Sequence, residues 1–429
     1  DGSGIKIGVI SNSFDANLPE PGQPTNEAID VGNRDLPGTK GIGNPIYDTP
    51  VQVLKDYPYT FSQISDEGRA MLQIAHDIAP GASLAFSTGV LSPRDFELAV
   101  QNLNSAEADI ITDDITFPGE PMFGLSNIGR AIREFTNSGE NFYFTSIGNF
   151  SNNAYQAVFQ ASGSADIPDF VPDPEAVAHV FGTNPDGSDD IYQRFRVKAG
   201  ETYMIVTQWA ESFASQDNSL GATNDLDFWV VDDQERLLVG NNYYNNTKDP
   251  IEYSTFKATA DGEANFLITS ANGNPGSLAF RYIIFVANSL EVLEYFNGAP
   301  TISGHALTPE AFAIGAVDFR KAANPVPQPF SSYAGTLSDG STPQATLASY
   351  DGVNTNVLTI GQNEVAGVPV DGDEFKNFFG TSASVVHAAA AFALMKSALP
   401  SWYGEQFVDI LQLFKDTAVP AGNPDQLGA

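Results

Sequence analysis

The chain has 429 residues, with 20 Lys plus Arg against 53 Asp plus Glu, a formal net charge of −33 and no cysteine. That length fits two domains or one elaborated domain with room for a sizeable core. A surface so negative disfavours nucleic acid and anionic lipid as partners and is congenial to bound cations or a salty medium. The absent cysteines exclude disulfides, thiolate metal sites and a cysteine nucleophile, and leave the compartment open. No apolar stretch reaches the roughly 18 residues that cross a bilayer, so membrane insertion is not expected. The start at Asp1, with neither Met nor a charged-then-apolar leader, suggests a trimmed product.

Residues 4–13, Gly-Ile-Lys-Ile-Gly-Val-Ile-Ser-Asn-Ser, form a β-branched run ending in a polar turn, predicted as a buried parallel strand. A Pro- and Gly-rich loop is expected over 19–50. Ser65 or Asp66 then caps a helix whose Met71, Leu72, Ile74, Ala75 and Ile78 keep helical spacing up to the Pro80-Gly81 stop. A strand at 82–86, a helix at 96–103, a strand at 109–112, a helix at 128–136 and a strand at 142–146 follow. Strands alternating with helices predict an α/β fold, a parallel sheet flanked by helices. Near Ser162 the rhythm changes. Runs at 192–197, 202–208, 226–231, 266–269 and 280–286 are β-rich and separated by Gly, Asn, Asp and Pro, which predicts an antiparallel β-sandwich over 164–300. The α/β pattern resumes at 311–317 and ends in an Ala-rich helix at 384–399, closed by Pro400. The sandwich is therefore expected as an insertion between 1–163 and 301–429 of one α/β domain.

The string Phe379-Gly-Thr-Ser382-Ala-Ser precedes that last helix. A serine at a loop-to-helix junction has its hydroxyl near the positive end of the helix, and the flanking Gly380 lets a substrate backbone approach. By itself the string also reads as an ordinary helix cap. With His387-Ala-Ala-Ala after it, however, it resembles the nucleophile segment of subtilisin-fold serine peptidases. Four further segments resemble that fold in the order it requires: the strand at 4–13, the turn Ala79-Pro-Gly-Ala82, the strand end Thr145-Ser-Ile-Gly148-Asn149, and the turn Phe330-Ser-Ser-Tyr333. The resemblance covers 1–160 and 305–429. It implies that Ser382 attacks the peptide carbonyl and that Asn149 donates its amide to the oxyanion.

Where the subtilisin branch has His-Gly-Thr-His, this chain has Glu67-Gly68-Arg69-Ala70, which is similar to the sedolisin-like branch with its Ser–Glu–Asp chemistry. The resemblance thus implies Glu67 as general base and no catalytic histidine; His76, His179, His305 and His387 are expected to be structural or exposed. A carboxylate base beside a second acid has its pKa raised and can shuttle the serine proton. The position of the partner acid is open. The residue four beyond Glu67 is Met71, and the position after the first strand holds Asn12, whose amide orients but does not titrate. Three readings stand: Asp114, at the end of the 109–112 strand, is the second carboxylate; Asp15 swings in; or Asn12 is an inactivating change.

The sandwich segments around Tyr192, Gly200 and Asn224-Asp225-Leu-Asp227 resemble β-sandwich modules appended to secreted bacterial peptidases, which implies an extracellular or cell-surface protein. Asp225 with Asp227, the cluster 186–190, and Asp416 with Asp425 are candidate calcium ligands, although no full ligand pattern is present. The chemistry itself requires no cofactor, so calcium would be structural. The expected function is a serine endopeptidase acting on protein or peptide through an acyl-enzyme. The alternative is a pseudopeptidase that binds peptides because Asn12 replaces the triad acid. Cleavage specificity and oligomeric state are not legible.

Overall fold

In a computed structural model the described residues are 1–17, 22–38, 48–59, 65–163, 167–217, 220–286, 290–342, 347–357, 376–399 and 407–419. The chain runs β1 (Lys6–Ser11), α1 (Asn26–Asn33), β2 (Gln52–Lys55), α2 (Glu67–Ile78), β3 (Ser83–Thr88), α3 (Pro93–Ser105), β4 (Ile110–Asp113), α4 (Asn127–Thr136) and β5 (Phe142–Ser146). Eight longer antiparallel strands follow: β6 (Ala154–Val158), β7 (Gln193–Val197), β8 (Thr202–Trp209), β9 (Leu226–Asp232), β10 (Leu237–Asn241), β11 (Ile251–Lys257), β12 (Gly262–Ser270) and β13 (Ala279–Phe285). The chain then returns with β14 (Ala311–Asp318), β15 (Leu347–Asp351), α5 (Thr381–Ala398) and α6 (Phe407–Thr417).

The central sheet has the order β15-β14-β5-β4-β1-β3-β2 with every pair parallel. Alternation along each strand divides two cores. Ile7 and Val9 of β1, with Ile5 just before it, face α2 and α5, whereas Ile10 faces α3 and α4 together with Ala85, Ile111 and Tyr143. The first of these cores holds Met71, Leu72, Ile74 and Ala75 of α2 against Val385, Val386, Ala389 and Phe392 of α5. Helix α5 is apolar almost all round because it lies under the sheet with α2 and α6 packed beside it. Strand β1 connects to strands on one side of itself and β4 begins the run on the other, so the switch point of this sheet lies between β1 and β4. Doubly wound sheets bind ligands outside the carboxyl ends of the strands at such a point.

The antiparallel strands form two sheets, β10-β9-β12-β7 and β11-β8-β13-β6, with Tyr155, Phe228, Phe266 and Phe280 meeting in one core between them. The pairing starts at Ala154, before the composition change at 162, because β6 adds to the edge of β13 with Tyr282 opposite Tyr155. Arg281 of β13 is fully buried and donates to the carbonyls of Met122, Pro300 and Ile302, tying the sandwich to the α/β layers.

Two expectations are corrected. The Pro/Gly-rich loop at 19–50 contains α1, capped by the Thr25 hydroxyl on Ala28 and closed by Arg34 in the left-handed region. The last helix starts at Thr381 rather than 384, because the Gly380 carbonyl already accepts from Ala383 and Ser384.

Candidate active site

Two helix N-termini converge on the carboxyl edge of the sheet. Helix α5 ends beside Asp109 and Glu140, which precede β4 and β5, through Lys396; its N-terminus therefore lies at the opposite edge, where the Thr381 N–H donates to Asn149 Oδ1 at 3.0 Å. Helix α2 runs the same way. The Ala79 methyl at its end lies beside Gly2, and the Glu67 N–H at its start donates to Asn12 Oδ1 at 3.0 Å. The two helices pack along each other, so Glu67 and Ser382 open neighbouring helices at one edge.

The start of α2 explains the Asp-Glu-Gly-Arg string. Asp66, the N-cap, has φ 51 and makes no cap hydrogen bond to the helix. Its buried carboxylate instead accepts from Ser13 Oγ at 2.8 Å and the Ala16 N–H at 2.9 Å, and pairs with Arg69 at 3.0 Å. Asn12 supplies the missing cap from the end of β1. A Cβ on Gly68 would lie 2.3 Å from the Phe86 ring and 2.8 Å from the Ser13 carbonyl, so only glycine lets α2 press onto the sheet here. Asn12 is thus a backbone anchor. Its Nδ2 donates to Ser65 Oγ at 2.7 Å.

The carboxyl of Asp114, one residue beyond β4, lies within hydrogen-bonding reach of Glu67 and faces Ser11. Burial pushes it well above the ordinary carboxylate range; the negative charge of Glu67 pushes the same way, and Ser11 draws it back. Of the partner acids considered, the structure brings Asp114 to Glu67. Asp15 is held elsewhere, 3.2 Å from Arg69, which also pairs with Asp30 at 2.8 Å.

Asn149 is exposed and follows Gly148, whose φ of +88 and close Phe150 ring exclude a side chain. Ser332 of the Phe-Ser-Ser-Tyr turn clamps both sides: its N–H donates to the Gly148 carbonyl at 3.0 Å, and its Oγ accepts from the Phe150 N–H at 3.2 Å. Because Asn149 Oδ1 takes the N–H and hydroxyl of Thr381, Nδ2 is the donor left without an acceptor among the described residues, on the side of Gly380 that also carries Ser382 Oγ. Among the described residues Ser382 N–H has no acceptor, and the residue is 6% exposed.

One constellation was not foreseen. His305 Nδ1 lies 2.7 Å from Glu120 and Nε2 lies 3.1 Å from Asp113, all three buried. Burial works against its proton, but Glu120 and Asp113 outweigh it and raise the imidazole to about 10. His305 thus holds the side chain of Asp113, the residue just before Asp114. The other three histidines lie away from the base position; His76 and His179 are buried and His387 is half-buried in α5.

Among the described residues no group of three or more His, Asp or Glu is arranged to hold a metal ion. Asp225 accepts from the Asn245 N–H at 3.0 Å, Asp186 from Ser188, and Asp416 from Gln412 at 2.7 Å. Asp425 lies outside the described residues. No described helix is long and apolar enough to cross a membrane.

Residues 216–429 match the model of the subtilase family. No curated protein resembles the chain closely enough in sequence to count as a relative. Among solved structures, the CspB protease of Clostridium perfringens is 11% identical with a TM-score of 0.57, over 100% of this chain and 90% of that one. A point mutant of the protease domain of PatA is 11% identical with a TM-score of 0.40, covering 98% and 90%. A Pseudomonas sedolisin, a serine-carboxyl proteinase, is 10% identical with a TM-score of 0.36, covering 97% and 81%. The subtilisin-like architecture and the subtilase match over 216–429 together support a serine peptidase acting on peptide or protein.

Proposed function

We propose that the chain is a serine endopeptidase of sedolisin-like chemistry, with Ser382 as nucleophile, Glu67 as general base, Asp114 as its partner and Asn149 as oxyanion donor. The observation that carries this reading is the electrostatic coupling of the Glu67 and Asp114 carboxyls at the switch point of the sheet, beside the helix whose second residue is Ser382. The shared proton resides on Asp114, whose buried site disfavours its charge, and Asp114 donates it to the Glu67 carboxylate. Glu67 takes the Ser382 proton as Oγ bonds to the substrate carbonyl carbon. The oxyanion is met by the Ser382 N–H and Asn149 Nδ2. Glu67 then protonates the leaving amine as the C–N bond breaks, and water repeats the cycle on the acyl-enzyme. Asn12, engaged with the Glu67 N–H, has no part in proton transfer.

Mass spectrometry after incubation with a fluorophosphonate probe across a pH series tests this. The expected result is an adduct on Ser382 that Ser382→Ala abolishes and Glu67→Gln slows. A folded chain that gives no adduct at any pH overturns the reading in favour of a peptide-binding pseudopeptidase.

A further inference from the structure

We propose that Asp351, the last residue of β15, is a positioning residue that anchors the turn presenting Ser382; the proposal rests on Ser382 being the nucleophile. Asp351 is fully buried. Its Oδ2 accepts the Gly380 N–H at 3.0 Å and its Oδ1 accepts Gln328 Nε2 at 2.7 Å. The approach to the turn is tied to the same place, since the Gly352 N–H donates to the Phe378 carbonyl at 2.7 Å and Asn377 Nδ2 to the Gly352 carbonyl at 2.8 Å.

The anchor matters because of what Gly380 is asked to do. With φ +138 it occupies a conformation that a flexible glycine leaves readily, yet its carbonyl must accept from Ala383 and Ser384 to start α5. The two peptide N–H groups ahead of Ser382 are each held by a side-chain oxygen from a separate loop: Gly380 by Asp351, Thr381 by Asn149. Asn149 is exposed and is also assigned to the oxyanion, so it is the weaker anchor. Asp351 is the buried, charged one, and a charge-assisted hydrogen bond to a backbone N–H is the stronger kind.

Protonation of Asp351 would weaken this hold. Burial, the largest influence, and Asp318, opposite it on β14, raise its carboxyl while Gln328 and the Gly380 N–H draw it down, which leaves it at about 7. Asp318 is held by Arg320 at 2.8 Å, and with Lys321 beside Asp318 these are the other charged groups around it among the described residues.

The test follows the rate of fluorophosphonate labelling at Ser382, with kcat and KM on a peptide substrate, between pH 5 and 9. Asp351→Ala is expected to lower labelling and kcat by about 10- to 100-fold, as small misplacements of reacting groups do, with KM within about twofold. Asp351→Asn, which keeps an acceptor oxygen, is expected to recover most of that loss while removing the inflection near pH 7 shown by the unsubstituted chain. Labelling of Asp351→Ala at the unsubstituted rate overturns the proposal. So does an Asp351→Asn profile that keeps the inflection, and that variant decides alone if Asp351→Ala does not fold. An unsubstituted chain with no adduct on Ser382 overturns the nucleophile assignment, and the anchor falls with it.

Discussion

Replacing Asp227 by Asn should stabilise the protein, and by more as pH rises. Asp227 is 2% exposed and lies with Asp225 and the fully buried Glu252 inside the sandwich. Burial first, then the charges of Asp225 and Asp173, push Asp227 up to about 8 from an ordinary 3.8. Burial first, then the charges of Asp227 and Asp225, raise Glu252 to about 9 against the hydrogen bonds of Tyr243 and Asn245. A carboxyl whose folded pKa is raised holds its proton longer in the folded chain than in the unfolded one. Below pH 3.8 it costs nothing; as pH climbs, the unfolded chain ionises first and stability drains away until the folded pKa is passed. At about 1.36 kcal/mol per pH unit, the full interval for Asp227 is on the order of 5 kcal/mol. Part of that repulsion belongs jointly to Asp227, Asp225 and Glu252 and vanishes only once, so about 2–3 kcal/mol is the expected gain from Asp227→Asn at pH 8. Urea unfolding at pH 4, 6 and 8 measures it, with little difference expected at pH 4. A gain independent of pH refutes the electrostatic argument. A loss that grows toward pH 8 and disappears with chelator refutes it more deeply, since the carboxylates would then be ligands of a bound cation.

Three other outcomes follow from the site. Asn149→Ala removes the free amide donor and should lower kcat about 10²- to 10³-fold with little change in Tm; an unchanged kcat removes Asn149 from the oxyanion. Gly68→Ala drives a methyl into the Phe86 ring and the Ser13 carbonyl, and should cost about 1–3 kcal/mol in urea melts while lowering kcat through Glu67. Arg69→Met strands Asp15, Asp30 and Asp66 without their shared cation, a loss of about 3–5 kcal/mol near neutral pH. Burial raises Asp15 and Asp30, opposed by Arg69, so the defect should shrink as pH falls and these groups take up protons.

What the sequence disclosed depended on how local its cause was. The Gly-Thr-Ser string, the Ala-Pro-Gly turn and the strand at 142–146 are specified by neighbours within a few residues, and each stands where those neighbours put it. Asp114 is one of two candidate acids in the sequence, because only the course of the chain at the end of β4 decides that it approaches Glu67 while Asp113 meets His305. Asn12 reads in the sequence as a gap in a triad, and the cap it gives to a helix 55 residues away exists only in three dimensions. The pairing of His305 with residues 185 and 192 positions earlier leaves no trace in local pattern. Asp351 had one weak cue, an acid closing a β-rich run before Gly352.

The strand that opens the sandwich, β6, begins five residues after Asn149, and the intervening stretch is not slack. The Asn153 carbonyl accepts from Ile284 at 2.9 Å, the Phe150 and Phe285 rings meet edge-on at 4.7 Å, and the Ser151 N–H is held by the Phe330 carbonyl at 2.8 Å. Such a join has no room for a hinge, unlike the loose linkers between most domains. The sandwich is in effect a handle bolted to the segment that carries Asn149: β13 grips residues 150–153 directly, so a module exchanged for this one has to be refitted to residues 150–154.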